Sequence, residues 1–293
     1  MGDDIMRQYY NPYNLPVNFP PQHQAQQPGI EAIMVPRPIS EPPVPHIPGG
    51  KLLNKLVLIT GGDSGIGRAA AYALAKEGAD IAIVYLNEHQ DASETKARIN
   101  QLGRKCIIIA ADIGFEENCL LVVQQVIRDF GKLDVLINNA ALVYPADRFE
   151  SITRYNLERT FAVNLFSFFS LTKAALPYMR PGSSIINTSS IASYRPYGIA
   201  VDYETSKGAI VSFTRSLSKN LLPRGIRVNC VLPGETWTPI IPAAFSPEVV
   251  ASWGTNTPMG RAAQPFEIAP AFVFLASDDS SYMTGQSLNI FAE

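Results

Sequence analysis

From Lys51 onward the chain alternates short, almost unbroken apolar runs with longer stretches of helical periodicity. The apolar runs are KLVLIT (55–60), DIAIVY (80–85), KCIIIAA (105–111), LDVLIN (133–138), SSIINTS (183–189), RVNCVL (227–232) and SLNIF (287–291). Each is short, rich in Val, Ile and Leu, and lacks the polar alternation of a half-exposed strand, which predicts strands buried on both faces. Between them lie helical patterns: GRAAAYALAKEG, a polar helix reaching Gly103, another ending near Gly131, and a long one before the fifth strand. Strands separated by helices of 10–15 residues imply right-handed crossovers and a parallel sheet. The expectation is an α/β fold with a doubly wound, seven-stranded parallel sheet, in a single domain over 51–293.

Two segments stand outside this alternation. Residues 1–50 hold 11 of the 23 prolines, so they can form neither a helix nor a central strand. Two readings are open for this N-terminal arm: a disordered tail, or an ordered extended arm anchored by Tyr9, Tyr10, Tyr13, Val17, Phe19, Ile33 and Val35. The other segment, 235–265, is too long for a simple connection and reads as a lid over a substrate site. Its Trp237, Ile240, Ile241, Phe245, Trp253 and Met259, with Tyr144, Tyr194 and Tyr197, suggest either an apolar, aromatic-lined site or packing against the body.

Composition narrows the function classes. Twenty-four Lys and Arg against 26 Asp and Glu leave no electrostatic reason to expect nucleic acid. Cys106, Cys119 and Cys230 are scattered, which suits a reducing compartment, and His23, His46 and His89 lack metal-ligand spacing, so no metal is expected. No apolar run is long enough to span a membrane, and the N-terminus lacks the apolar core of a secretory signal. A cytoplasmic protein is expected.

The candidate chemistry lies at the ends of the predicted strands. Thr60-Gly61-Gly62-Asp63-Ser64-Gly65-Ile66-Gly67 joins the first strand to the first helix. Glycines there permit a tight turn and let a pyrophosphate approach the N–H groups of the helix N-terminus. Tyr203 and Lys207 stand four apart on one helical face, so an ammonium can sit beside a phenol and lower its pKa, as a general acid/base near neutrality requires. Ser190, at the end of the fifth strand, is 13 residues upstream. Ligands of such sheets bind outside the carboxyl ends of the strands, where these three groups would meet.

These motifs, with Asn138-Asn139-Ala140-Ala141, Asn164 and Pro233-Gly234 in the same order, make residues 51–293 resemble the short-chain dehydrogenase/reductase family. The arm and the segments GGDSGIGR and LASDDSSYMTGQ are similar to a subgroup with N-terminal extensions, of the general-stress and glucose/ribitol-dehydrogenase kind. The resemblance implies a Rossmann-like fold and an NAD(P)-dependent enzyme. Tyr203 would be the proton donor or acceptor, Lys207 would tune it and hold the nicotinamide ribose, Ser190 would bind the substrate oxygen, and Asn164 would support a proton relay. Gly61, Ser64, Gly65, Ile66, Gly67, Tyr85, Asp112, Asn138, Pro233, Thr236 and Thr238, with Tyr203 and Lys207, would contact the cofactor.

Departures from the family pattern refine this. Ala141 replaces a glycine, and the terminus LNIFAE lacks a glycine pair. Tyr85 ends the second strand where NAD-preferring members carry an acid, so a 2′-phosphate is permitted and NADP(H) is expected, with NAD(H) not excluded. Arg68 is the available candidate for that phosphate. The expected reaction interconverts a carbonyl and a secondary alcohol on a small organic molecule. The alternatives are an NAD-dependent sugar or polyol dehydrogenase, and a redox-silent relative acting as an isomerase or nucleotide-binding scaffold. The segment 161–176 is apolar nearly all round, which requires burial on more than one side. By the resemblance it pairs across a two-fold axis, giving a homotetramer, or a dimer failing that, with the arm lying over a neighbouring subunit.

Overall fold

A computed structural model describes residues 13–43 and 48–292, so Tyr9, Tyr10 and His46 lie outside the described residues. The seven strands are β1 (Leu56–Thr60), β2 (Asp80–Tyr85), β3 (Cys106–Ala110), β4 (Val135–Asn138), β5 (Ser184–Thr188), β6 (Arg227–Pro233) and β7 (Ser287–Ile290). All six pairings are parallel, in the order β3-β2-β1-β4-β5-β6-β7. Every residue of β1, β4 and β5 is buried, as the unbroken apolar runs require. The order reverses between β1 and β4, and this switch point opens a crevice at the carboxyl ends of the strands.

Helices cover both faces. α1 (Gly65–Lys76), α2 (His89–Gln101) and, near the C-terminus, the helix Pro265–Ala276 contribute Leu74, Ile99, Phe272 and Leu275 to one core layer. The other layer takes Val122, Val123 and Val126 from α3 (Glu116–Phe130) and Leu171 and Ala175 from the helix before β5. The apolar stretch 161–176 is not one regular helix: α4 (Arg154–Phe161) passes through a π-helical turn (Ala162–Phe166) into α5 (Ser167–Ala175). Phe168 and Leu171 are buried, but Phe166 and Phe169 stay more than half exposed on the single chain. α6 (Val201–Leu221) follows β5. No helix among the described residues is long and apolar enough to cross a membrane.

The lid folds into two short helices, α7 (Ile240–Ala244) and α8 (Pro247–Ala251), and joins α9 (Pro265–Ala276). Trp237 is fully buried and stacks on Phe19 of the arm, ring centroids 3.8 Å apart, while its Nε1 donates to the Pro36 carbonyl at 2.8 Å. Phe19, Met34, Trp237, Ile241, Val250 and Ala262 form a separate small core shared by arm and lid. The described part of the arm packs on its own chain, whereas the sequence suggested a neighbouring subunit.

Glutamines supply the backbone bonds that the prolines cannot. Gln24 accepts from the Ile30 amide at 2.6 Å and donates to the Ile30 carbonyl at 2.8 Å. Gln22 bridges the amide and carbonyl of Val35 in the same manner, and Gln27 those of Val143. Each primary amide presents one donor and one acceptor, so it satisfies a residue as a neighbouring strand would. Further along, Arg37 pairs with Glu94, and Glu41 with Lys76 and Arg98, fastening the arm along α1 and α2.

Removing the Phe19 ring deletes the arm's half of the stack and leaves Trp237 facing a void. Phe19→Ala should cost about 3 kcal/mol of stability. Limited proteolysis checks it: cleavage between residues 13 and 43 should become fast in the variant while residues 51–292 stay resistant.

Candidate active site

The turn from β1 to α1 is shaped by close approach. Gly61 and Gly65 have φ of +63° and +50°, a conformation that L side chains rarely adopt. A Cβ on Gly67 would lie 1.9 Å from the Gly61 carbonyl oxygen, so only glycine lets the helix start this close to the turn. Gly61, Ser64, Gly65 and Ile66 line a cleft of about 670 Å³ along the carboxyl edge of the sheet. Tyr85, Asp112, Ser190, Tyr203, Lys207, Pro233, Thr236 and Thr238 line it too. A glycine cradle at a helix N-terminus, with an open cleft beyond it, fits the pyrophosphate of a dinucleotide.

Three of the expected site residues lie behind the lining. Gly67 serves the turn itself. Asn138 is fully buried and donates to Asn187 Oδ1 at 3.0 Å, while its neighbour Asn139 faces the cleft and ties Thr60 and Gly61 to the loop after β4. Asn164 sits in the π-helical turn, fully buried. Its Oδ1 accepts from the Leu142 amide, and its Nδ2 donates to the Leu142 carbonyl and to Ser206 Oγ. Of the aromatic lid residues, Phe245 and Trp253 line the cleft with Tyr144 and Tyr197, whereas Trp237, Met259 and Tyr194 do not.

At the far end of the cleft, the Ser190 hydroxyl stands beside the Tyr203 phenol, and Lys207 Nζ lies 5.4 Å from the Tyr203 ring centre. Lys207 is buried and donates to the Thr188 carbonyl at 3.0 Å. Burial holds its pKa down to about 8. The phenol does not follow the expected direction: burial pushes the Tyr203 pKa up, and the Ser190 hydroxyl only partly offsets it. The ammonium is turned to the Thr188 carbonyl rather than to the phenol oxygen, so desolvation dominates and Tyr203 is held protonated. Glu204 accepts from the Tyr197 and Gly198 amides and shapes the loop ahead of α6.

The adenosine end differs most from expectation. Arg68 is 2 % exposed and is no free phosphate ligand. Its Nη1 donates to Glu31 of the arm at 2.6 Å, its Nη2 to the Asp91 carbonyl at 3.0 Å, and its Nε to the Asp63 carbonyl at 2.8 Å. Asp63 and Glu88, both buried, line the cleft beside Tyr85, whose hydroxyl bonds to His89 Nδ1. Burial, then the Glu88 charge, raises the Asp63 pKa to about 7. Glu88 Oε2 accepts from the Leu86 and Asn87 amides, and its buried Oε1 has no partner among the described residues. Glu88 was legible: an acid about 20 residues past the glycine turn is where a ribose diol is met. Glu31, Gln27 and Asp63 carried no such signal.

A carboxyl whose folded pKa lies above its unfolded value favours the fold below pH ~4, and that contribution is lost as pH rises through about 7. The decline in stability between pH 4 and pH 8 should therefore be shallower in Asp63→Asn, by on the order of 2 kcal/mol or more, measured by denaturant unfolding at both pH values.

Residues 61–290 match the family model described as enoyl-(acyl carrier protein) reductase. The chain is 52 % identical to general stress protein 39 of Bacillus subtilis, over 94 % of this chain and 96 % of that protein. It is 50 % identical to glucose and ribitol dehydrogenase of Daucus carota (92 % and 95 % covered) and 48 % identical to NADPH-dependent aldehyde reductase 1, chloroplastic, of Arabidopsis thaliana (92 % and 95 %). A short-chain dehydrogenase from Burkholderia cenocepacia, solved in complex with NADP, superposes with a TM-score of 0.78 at 31 % identity, covering 82 % of this chain and 98 % of that one. The fold agrees with these matches, and the chain belongs to the short-chain dehydrogenase/reductase family of NAD(P)-dependent oxidoreductases.

Proposed function

We propose that this enzyme uses NADP(H) to interconvert a carbonyl and a secondary alcohol on a small organic molecule. The observation that carries the reading is that Ser190, Tyr203 and Lys207 line one cleft that begins at the glycine turn, with the Lys207 ammonium 5.4 Å from the phenol ring centre. The nicotinamide supplies or takes up the hydride. Ser190 and Tyr203 hold the substrate oxygen, and Tyr203, kept protonated by burial, gives its proton to that oxygen in reduction and recovers it in oxidation. Lys207 would hold the nicotinamide ribose and supply positive charge near the phenol. Asn164 clamps the loop after β4 to α6; because its side chain is fully engaged, a proton relay past it would run along its main chain in the π-helical turn.

The cofactor choice is supported by the absence of an acid at Tyr85, by a relative named as NADPH-dependent and by the NADP-bound neighbour. A second reading, an NAD-dependent sugar or polyol dehydrogenase, is favoured by the Asp63–Glu88 pair, which would meet a ribose diol better than a phosphate. Glu235, half-buried in the cleft and bonded by the Tyr197 hydroxyl at 3.3 Å, offers a carboxylate to a hydroxylated substrate. Three buried, unpaired thiols are compatible with the cytoplasm. The exposed Phe166 and Phe169 would be covered in the proposed homotetramer.

A panel of aldehydes, ketones, sugars and polyols assayed with NADPH and NADH decides between the two readings. On any substrate so found, Tyr203→Phe should lose about 10²–10⁴ in kcat with cofactor affinity nearly unchanged. Wild-type turnover in that variant would refute the assignment, and a strong preference for NADH with a polyol would select the second reading. Light scattering at micromolar concentration should give the tetramer mass; a monomer refutes the assembly.

A further inference from the structure

Arg68 stands on the first turn of α1, beside the glycine cradle, and its Nε donates to the Asp63 carbonyl at the edge of the cleft. A buried guanidinium is retained only with its partners in place. Those partners come from two sources. α2 contributes Asp91, through its carbonyl at 3.0 Å and its carboxylate at 3.4 Å, and the half-exposed Glu94, also at 3.4 Å. The arm contributes Glu31, which is 1 % exposed. One Glu31 oxygen takes Arg68 Nη1 at 2.6 Å, and the other accepts from the Gly65 amide, also at 2.6 Å. Asp91 in turn accepts from the Glu31 and Ala32 amides, which holds the arm in this register. Burial pushes the Glu31 pKa up, against the pull of Arg68, the Gly65 amide and Arg37, whose Nη2 lies 3.7 Å from Oε1; with both oxygens accepting hydrogen bonds, the arrangement is that of a carboxylate.

The consequence is electrostatic. The arm places a negative charge on the first N–H of α1, where the helix dipole attracts anions, and it cancels the charge of Arg68. What lines the cleft beside Tyr85 is then acidic, Asp63 and Glu88, while Arg159, which also lines it, is held by Asp112 at 3.1 Å. We propose that the N-terminal arm takes part in cofactor selection: by burying Glu31 against Arg68 it withdraws that cation from the adenosine end, and so sets the preference for NADP(H) over NAD(H) lower than the glycine turn alone would give. The proposal rests on the reading that a nicotinamide dinucleotide lies with its pyrophosphate at α1 and its adenosine ribose near Tyr85. Both cofactors share the pyrophosphate, so the effect falls on their ratio, through the charge of the 2′-phosphate.

The test is the ratio of dissociation constants for NADH and NADPH, measured by nucleotide fluorescence on the full chain at low ionic strength. Glu31→Gln keeps the size and an acceptor for Gly65 but removes the charge. A unit charge at roughly 10 Å in a partly wet site changes binding of a phosphate by about five- to tenfold, so the ratio should move that far towards NADPH. Glu31→Asp, which keeps the charge, should stay within about twofold of wild type, which a merely structural role would not distinguish in this direction. An unchanged ratio in folded Glu31→Gln overturns the proposal. Should that variant not fold, Glu94→Gln removes the more exposed carboxylate from Arg68; a rise of about twofold that disappears in high salt supports the proposal, and no rise overturns it. Wild-type protein that binds neither nucleotide overturns this inference together with the functional reading, whereas binding of both with a flat ratio across the variants overturns this inference alone.

Discussion

A guanidinium buried in the first turn of α1 is the constraint around which this end of the molecule is organised. Taking Arg68 out of water costs several kcal/mol unless carboxylates and carbonyls replace the lost hydration, and removing one partner of such a cluster typically costs 3–5 kcal/mol. The groups that meet it come from the arm, from the glycine turn and from α2: Glu31, the Asp63 carbonyl, and Asp91. None of these segments can move without exposing or orphaning the cation. A Pro-rich chain that cannot pair its own backbone is thereby fixed on the enzyme body, and the cradle at the start of α1 is held by groups on three elements instead of one.

The same arm reaches the lid and the loop after β4. Phe19 fills the lid's small core against Trp237, the Gln24 amide donates to the Pro242 carbonyl, and Gln27 bonds Val143, one residue from the Leu142 held by Asn164. Gln27, Pro28 and Gly29 consequently line the cleft. Gly29 approaches so closely that a Cβ there would lie 2.2 Å from the Pro239 carbonyl oxygen. The arm is therefore part of the cleft wall, and its packing couples the lid, the glycine turn and the Asn164 loop through contacts rather than through sequence proximity.

The strands, their parallel arrangement and the glycine turn were readable in advance, because two-sided burial leaves unbroken Val/Ile/Leu runs and close approach demands glycine. Tyr203, Lys207 and Ser190 were readable because helical spacing and strand ends place them. The arm's partners were not: a contact such as Glu31 to Arg68 spans 37 residues without periodicity. Charge state was harder still. Arg68 stood as the available phosphate ligand, or else a helix-surface residue, and helical spacing suggested a lowered Tyr203 pKa; neither argument carries information about burial, and burial decided both cases. Asn138 and Asn139 illustrate the same limit at a strand end, where successive side chains point to opposite sides and one faces the sheet while its neighbour faces the cleft.

Burial also sets the acid–base character of the site. It opposes whichever form is charged, so it raises Tyr203 and lowers Lys207 to about 8, drawing the two titrations apart. A phenol held neutral can donate a proton, while an ammonium near its own midpoint can exchange one close to neutral pH. In water their ordinary values near 10 would leave both groups protonated at pH 7; burial keeps the phenol so and brings only the ammonium within reach of release. Ser190 supplies the opposing influence, because a hydroxyl beside the phenol favours the phenolate as it forms. The chemistry therefore follows from a dry strand end that presents one hydroxyl, one phenol and one ammonium to the same cleft.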